Sequence, residues 1–343
     1  MAFSVRGAFD LLSEIPTSLF PIALGLAGLG AGLRVAAPVH DAVWLSQAGA
    51  GVLIAAGIVL SIDVLLYAAK IFRARDRVAA DFAMSTRANL FAPGFMAAMV
   101  IGGQFAAVSP LGGPIWLAAS VGHLVLLLRF VGLWLQRDYM SEDLNPTWFL
   151  PAAGLMTSAL SWPGFGPQAF PVFTFAAGFA LWLILLPIVF RRLVFEPALD
   201  PVLRPSLFIL AAPFGLAAGG LLTLYPSFAI GGAVSLLSAG LFFILALISQ
   251  PRFISAAGIS LTWWATTFPI ATVAAGYLRL DDRDLPFVAE VGTALLAFAT
   301  LTTLVAIVGT GRAALRTCIK TRSAAEHALL ALQGRSDRNA TSA

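Results

Sequence analysis

The stretch WWATTFPIATVAAG, Trp263 to Gly276, lies within an apolar run long enough to cross a membrane, yet Pro269 interrupts it. A proline inside a helix removes one backbone hydrogen bond and clashes with the preceding turn, at a cost of about 3 kcal/mol. In hydrocarbon no water is present to satisfy the freed backbone groups, so such a helix must face protein or a water-filled cavity rather than lipid. The stretch therefore reads as an interior helix of a polytopic membrane protein.

Composition supports that reading across the chain. Of its 343 residues 59% are hydrophobic and 11% charged, with a mean hydropathy of +0.90, whereas soluble domains carry about 25% charged residues. Ten spans are expected, roughly at 16–35, 43–69, 88–107, 113–135, 148–162, 170–190, 205–224, 228–249, 254–277 and 286–310, the fifth being the shortest. The apolar runs are continuous rather than alternating, which excludes barrel strands. The first run is too long for a signal-peptide core and is kept as a mature helix. The expected organisation is an N-terminal segment over 1–15, a membrane domain over 16–311 and a basic tail over 312–343.

Cys318 is the only cysteine, so neither an intrachain disulfide nor a thiolate metal cluster is available, and His40, His123 and His327 are scattered. No cofactor or metal is expected. The chain holds no HExxH, no GxSxG and no clustered histidines and carboxylates, which argues against an enzyme. Under the ten-span topology, 18 of the 21 basic residues fall on the side of the two termini, leaving Arg34, Arg279 and Arg283 opposite. Both termini are therefore expected in the cytoplasm. Topology accounts for the pI of about 9.7, and no nucleic-acid partner is needed.

Every odd-numbered span carries a proline followed by small residues: Pro21, Pro93, Pro151, Pro213 and Pro269, separated by 72, 58, 62 and 56 positions. Such spacing matches one helical hairpin with its loops. It predicts five quasi-repeated hairpins, with the proline-bearing helices inside around a central pore and the even helices outside. Each odd span opens on a polar patch running into aromatics: PTSLF, STRANLF, NPTWF, RPSLF and SLTWWATTF. These patches read as polar mouths of a path, or as ordinary helix caps at the interface. Gly28 with Gly32, and Gly215 with Gly219, read as close helix packing.

The expected inner spans hold no acidic residue, which disfavours a cation path. Helices restarted at mid-membrane would instead point unpaired N–H groups and partial positive charge at the centre, favouring anions. Arg87 and Arg204 lead into inner spans and mark a basic cytoplasmic mouth. Phe268, directly before the break, reads as a hydrophobic constriction or as core, and Phe20, Phe91, Phe149 and Phe208 are further candidate pore aromatics. Asp63 and Arg129 lie at similar depth in the second and fourth spans and are expected to form a structural ion pair.

Taken in order, RANLFAP, NPTWFLPAAG, RPSLFILAAP and WWATTFPIA resemble the motifs of the tellurite-resistance and dicarboxylate transporter (TehA-like) family, which includes the plant guard-cell slow anion channels. The resemblance runs from about Pro16 to about Gly311. It implies a bacterial plasma-membrane homotrimer whose subunits each have ten helices and their own pore, occluded by a phenylalanine of the ninth helix that falls on Phe268. The chain departs from the pattern at MSTRANLF, which lacks a His-Pro pair before Arg87, and the long phosphorylated tails of the plant channels are not expected after the tenth span.

The function expected is a passive channel or uniporter for small anions. The alternative is a carrier or exporter of C4-dicarboxylates such as malate, or of oxyanions such as tellurite or sulfite. Proton coupling would then require Asp63, Glu290 or His123 to titrate. The basic stretch from Arg312 to Arg338 reads as a solvated flank or as a docking surface for a partner or anionic lipid.

Overall fold

The computed structural model describes residues 15–280 and 285–340, with side chains as far as Leu315. Arg6, Arg283 and the side chains of the basic tail beyond Leu315, Cys318 and His327 included, lie outside the described residues. All regular structure described is helical. Eight segments are long and apolar enough to cross a membrane: Thr17–Val39, Val43–Arg73, Ser85–Phe105, Gly112–Gln136, Ala169–Phe195, Arg204–Leu224, Ile230–Ile248 and Val288–Leu315. Two further helical stretches, 146–160 and 261–277, stand where the fifth and ninth spans were expected. The molecule is an all-helical, multi-pass membrane protein.

We number α1 as Phe20–Val39, α2 as Val43–Arg73, α3 as Arg75–Ala83, α4 as Ser85–Ala88, α5 as Ala92–Phe105 and α6 as Gly112–Gln136. Then follow α7 as Phe149–Ala153, α8 as Thr157–Leu160, α9 as Ala169–Phe195, α10 as Ala212–Leu224, α11 as Ile230–Ile248, α12 as Pro251–Ile254, α13 as Trp264–Tyr277 and α14 as Val288–Ala340. The last helix runs well beyond the expected end at 310. The ninth begins later than expected, because Ile254 closes the short α12 and a glycine with φ of 75°, Gly258, turns the chain before α13.

The proline-bearing segments share one local design. A 3₁₀ stretch precedes the α-helix in each: Thr17–Leu19 before α1, Asn89–Phe91 before α5, Pro146–Trp148 before α7, Arg204–Ala211 before α10 and Leu261–Trp263 before α13. Pro21, Pro93 and Pro213 occupy the first or second α-helical position, where the missing N–H removes no α-helical bond. The interruption expected at these prolines is thus a change of helix type just ahead of them. Pro269 differs, standing inside α13.

Burial separates the elements. Among the apolar spans, 56%, 56% and 89% of the stretches containing α1, α5 and α10 are buried, against 22% to 39% in the other five. The stretches over 146–159 and 266–274 are buried throughout. These segments pack in sequence as α1 on α5, α5 on α8, α8 on α10, α10 on α13 and α13 on α1, which closes a ring. Each also packs on the long helix that follows it in the chain. Glycines set the closest approaches. A Cβ on Gly30 of α1 would lie 2.8 Å from both the Gly49 carbonyl oxygen and Leu53 Cγ of α2.

Gly30→Ala is expected to lower the thermal midpoint of the detergent-solubilised protein, consistent with an overpacking cost of about 1–3 kcal/mol. Gly51→Ala, whose Cβ would meet open space, should leave it unchanged. Equal melting of the two variants in a fluorescence melt would contradict this packing.

Candidate permeation pathway

Two cavities lie within the ring, and Phe268 borders both. The first has a volume of about 210 Å3 and is lined by the first turns of five helices: Pro21 of α1, Pro93 of α5, Leu150 of α7, Ala212 of α10 and Trp264 with Ala265 of α13. Pro269 also lines it. The second, of about 270 Å3, is lined by Gly28, Val100, Leu160, Thr223, Ala271 and Arg279 among others. Phe268 is the one residue common to the two walls, and it is only 3% exposed.

The ring of Phe268 rests on α1 where that helix has no side chain: a Cβ on Gly28 would fall 2.7 Å from Phe268 Cδ2. Around Pro269 the helix is reinforced by its own threonines. Thr266 and Thr267 donate to the Trp263 and Trp264 carbonyls at 2.8 and 2.9 Å, and Thr272 lies 3.1 and 3.0 Å from the Phe268 and Pro269 carbonyls. Proline has no N–H to return to the carbonyl four residues earlier, which belongs to Ala265, a residue of the first cavity's wall.

The polar patches of the sequence supply hydroxyls and amides to that wall: Ser18, Thr86, Asn145, Thr147, Ser206 and Thr262. Some are also caps, since Asn145 Oδ1 accepts from the Thr147 N–H at 3.0 Å. Both readings of the patches therefore apply. Among the described residues, no charged side chain lines the first cavity.

Ser18 and Leu90 also line a third cavity, of about 280 Å3, which carries Lys70, Arg77, Arg87 and Asp81. Asp81 of α3 accepts from Lys70 at 2.6 Å and from the Tyr67 hydroxyl at 2.9 Å, and pairs with Arg87 at 3.3 Å. Lys70 further donates to the Ile15 carbonyl at 2.8 Å, tying the start of the described chain to α2. Burial alone would push the Asp81 carboxyl up. The hydrogen bonds from Lys70 and Tyr67, the Lys70 charge and Arg87 outweigh it and hold the pKa below the ordinary carboxylate value. Arg87 thus lines the third cavity together with Lys70 and Asp81, which the sequence did not single out. Their signal was faint: two opposite charges eleven positions apart, joined only because the chain turns between α2 and α3.

Other expected sites are corrected by the geometry. Arg204 does not face the first cavity: it donates to the Leu199 and Phe253 carbonyls at 3.0 and 3.3 Å and lies 4.2 Å from the Phe253 ring centre, so it ties loops together. Neither Phe20, Phe91, Phe149 nor Phe208 lines either cavity. Phe20 and Phe91 cluster with Tyr67, Phe91 stacks on Phe82, Phe149 is core, and Phe208 lies 6.5 Å from Phe298. Pro151 and Pro213 stay out of the first cavity's wall, which their predecessors Leu150 and Ala212 supply.

Asp63 and Arg129 do not pair. Asp63 shares the buried face of α2 with Tyr67 and Lys70, and its Oδ2 has no hydrogen-bond partner. Arg129 is exposed and lines a surface cleft with Arg137 and Phe82. Similar depth fixed neither azimuth. His123 Nε2 lies 2.9 Å from the Pro151 carbonyl, and Glu290 is exposed at the start of α14.

The chain belongs to the SLAC1 family, described as voltage-dependent anion channels, whose profile matches residues 14–311. It is 25% identical to the S-type anion channel SLAH2 of Arabidopsis thaliana over 68% of its own length and 46% of that protein. It is 26% identical to the S-type anion channel SLAH3 of the same plant over 79% of its length and 44% of the relative. The chain thus spans less than half the length of these relatives. The family is described as one of channels rather than of enzymes.

Because Asp81's pKa is lowered in the folded state, its contribution to stability is present above the ordinary carboxylate pKa and is lost as pH falls through the depressed value. Asp81→Asn is expected to cost about 3–5 kcal/mol at neutral pH by leaving Lys70 buried without its counter-ion. The acid-induced drop in thermal midpoint should shrink in that variant. An unchanged pH profile would remove Asp81 as its cause.

Proposed function

We propose that the protein is a passive channel or uniporter for small anions, with one pore in each subunit, occluded by Phe268. The observation that carries this reading is a cavity lined by five helix first turns and, among the described residues, no charged side chain, walled from a second cavity by one buried phenylalanine. Helix N-termini favour anions through their aligned peptide dipoles, and an apolar side chain across a narrow path blocks it by excluding water. The basic third cavity, which adjoins the first at Ser18 and Leu90, concentrates anions at its mouth. The two relatives named S-type anion channels support the same substrate class.

The finer architecture belongs to this proposal. Ten helices form five hairpins, with the proline-bearing member of each inside; the closed ring of contacts and the burial contrast support it. The subunits assemble as a homotrimer in a bacterial plasma membrane, with both termini cytoplasmic, as the family resemblance and the distribution of basic residues suggest. A proton-coupled carrier is less well supported, because none of Asp63, His123 and Glu290 lines either cavity that Phe268 borders.

The test is anion flux into liposomes carrying the wild-type protein or Phe268→Ala, with chloride, nitrate, malate and sulfite in turn. Wild type is expected to be nearly silent and the variant faster on the order of tenfold or more, a barrier lowered by about 1.4 kcal/mol or more. Silence of both to passive flux, with exchange of one labelled substrate, would replace the channel by a carrier.

Gly28→Ala tests the same contact from the other helix. Its methyl would displace the Phe268 ring, and flux should change while flux through Phe268→Ala, Gly28→Ala matches that of Phe268→Ala alone. Additive effects in the double variant would sever the link between the two positions.

A further inference from the structure

Among the described residues, the second cavity's lining holds one charged group, Arg279, and no carboxylate. Arg279 is an exposed residue whose guanidinium is held in one orientation by three hydrogen bonds. Nη1 donates to the Gly219 carbonyl and to Thr223 Oγ1, both at 3.1 Å, and Nη2 donates to the same Thr223 oxygen at 3.1 Å. Thr223 is itself anchored, donating to the Gly219 carbonyl at 2.8 Å.

A guanidinium has five N–H donors in a fixed plane. The Thr223 oxygen sits between the two terminal nitrogens and takes one hydrogen from each, while Gly219 takes the second hydrogen of Nη1. The Nε–H and the remaining Nη2–H, which lie parallel on one edge, have no acceptor among the described residues. Such an edge matches two coplanar oxygens of one anion, bound by two parallel charge-assisted hydrogen bonds. A second guanidinium stands nearby: Arg34 donates to the carbonyl of Gln104, another lining residue, at 2.8 Å.

We propose that Arg279 forms an anion-binding station on the far side of Phe268 from the basic mouth, and that it takes a small planar oxyanion such as nitrate in preference to a spherical halide. The station rests on the pathway reading for its place in transport, but binding to it is measurable without any flux. Thr223 is a positioning residue, occupying the terminal edge of the fork so that the Nε edge stays free.

The experiment uses the full-length protein in detergent, so that Asp281, Asp282 and Asp284, which follow Arg279 in the sequence outside the described residues, are present. The thermal midpoint is measured across a nitrate series and a chloride series at constant ionic strength, for wild type, Arg279→Lys, Arg279→Gln and Thr223→Val. Wild type is expected to gain a saturable nitrate-over-chloride stabilisation. Arg279→Gln should abolish it. Arg279→Lys keeps the charge and loses the fork, and should raise the half-saturating nitrate concentration roughly tenfold, as should Thr223→Val, corresponding to the loss of about one charge-assisted bond.

The same nitrate-over-chloride gain in Arg279→Gln as in wild type would overturn the station, as would equal gains in wild type and Arg279→Lys. In a second arm, adding Arg279→Gln to Phe268→Ala should lower nitrate flux more than chloride flux. If Phe268→Ala conducts nothing while the nitrate effect on melting persists, the station stands and the pore reading fails. Flux that loses nitrate and chloride equally would overturn the oxyanion preference.

Discussion

Everything in the interior follows from a shortage of hydrogen-bond donors. A proline has no N–H, and in a membrane the carbonyl it fails to serve cannot turn to solvent water. Three of the five interior helices evade the deficit by starting at their proline, so that the absent donor falls where an α-helix has no internal use for one. The 3₁₀ stretch ahead of each helix continues the chain with shorter-range bonds. Only α13 keeps its proline inside, and it surrounds that position with threonine hydroxyls bonded to its own backbone. The arrangement brings five helix starts to one cavity and sets Phe268 beside the cavity-lining proline that stands inside its helix.

Small residues make the second contribution. The interior helices pass close enough for a glycine of one to receive a ring or a backbone oxygen of another, as Gly28 receives Phe268 and Gly215 faces Thr272 and Val273. Without a water-driven force between apolar helices, such close packing carries much of the association in lipid. Of the glycines that read in the sequence as packing, Gly28 also borders the pathway. Gly28 is part of the second cavity's wall and also the seat of the ring that closes it.

The fold was largely legible because its signals are periodic and long: apolar runs, prolines spaced one hairpin apart, and polar patches in phase with them. The first cavity's hydroxyl rim was legible for the same reason, since Ser18, Thr86, Thr147, Ser206 and Thr262 belong to those patches. What failed were statements about direction around a helix. Asp63 and Arg129 match in depth but face different neighbours, and Phe20, Phe91, Phe149 and Phe208, one to five residues ahead of their prolines, pack between helices instead of lining a cavity. In α10 and α13 the hydrophobic pattern runs all round the helix, so no moment marks the face turned to a cavity. The Lys70, Asp81 and Arg87 cluster was hidden differently, because it depends on how α3 packs on α2 and α4.

The five first turns line one cavity, so the partial positive charge of their peptide dipoles gathers there. An ion moving along the proposed path would meet an energy profile with no mirror plane, low at the helix starts and rising along the axes behind them. Between identical solutions, current driven one way should then exceed current driven the other by the same voltage. Rectification of that kind would come from the backbone alone, without a voltage-sensing charge on any side chain.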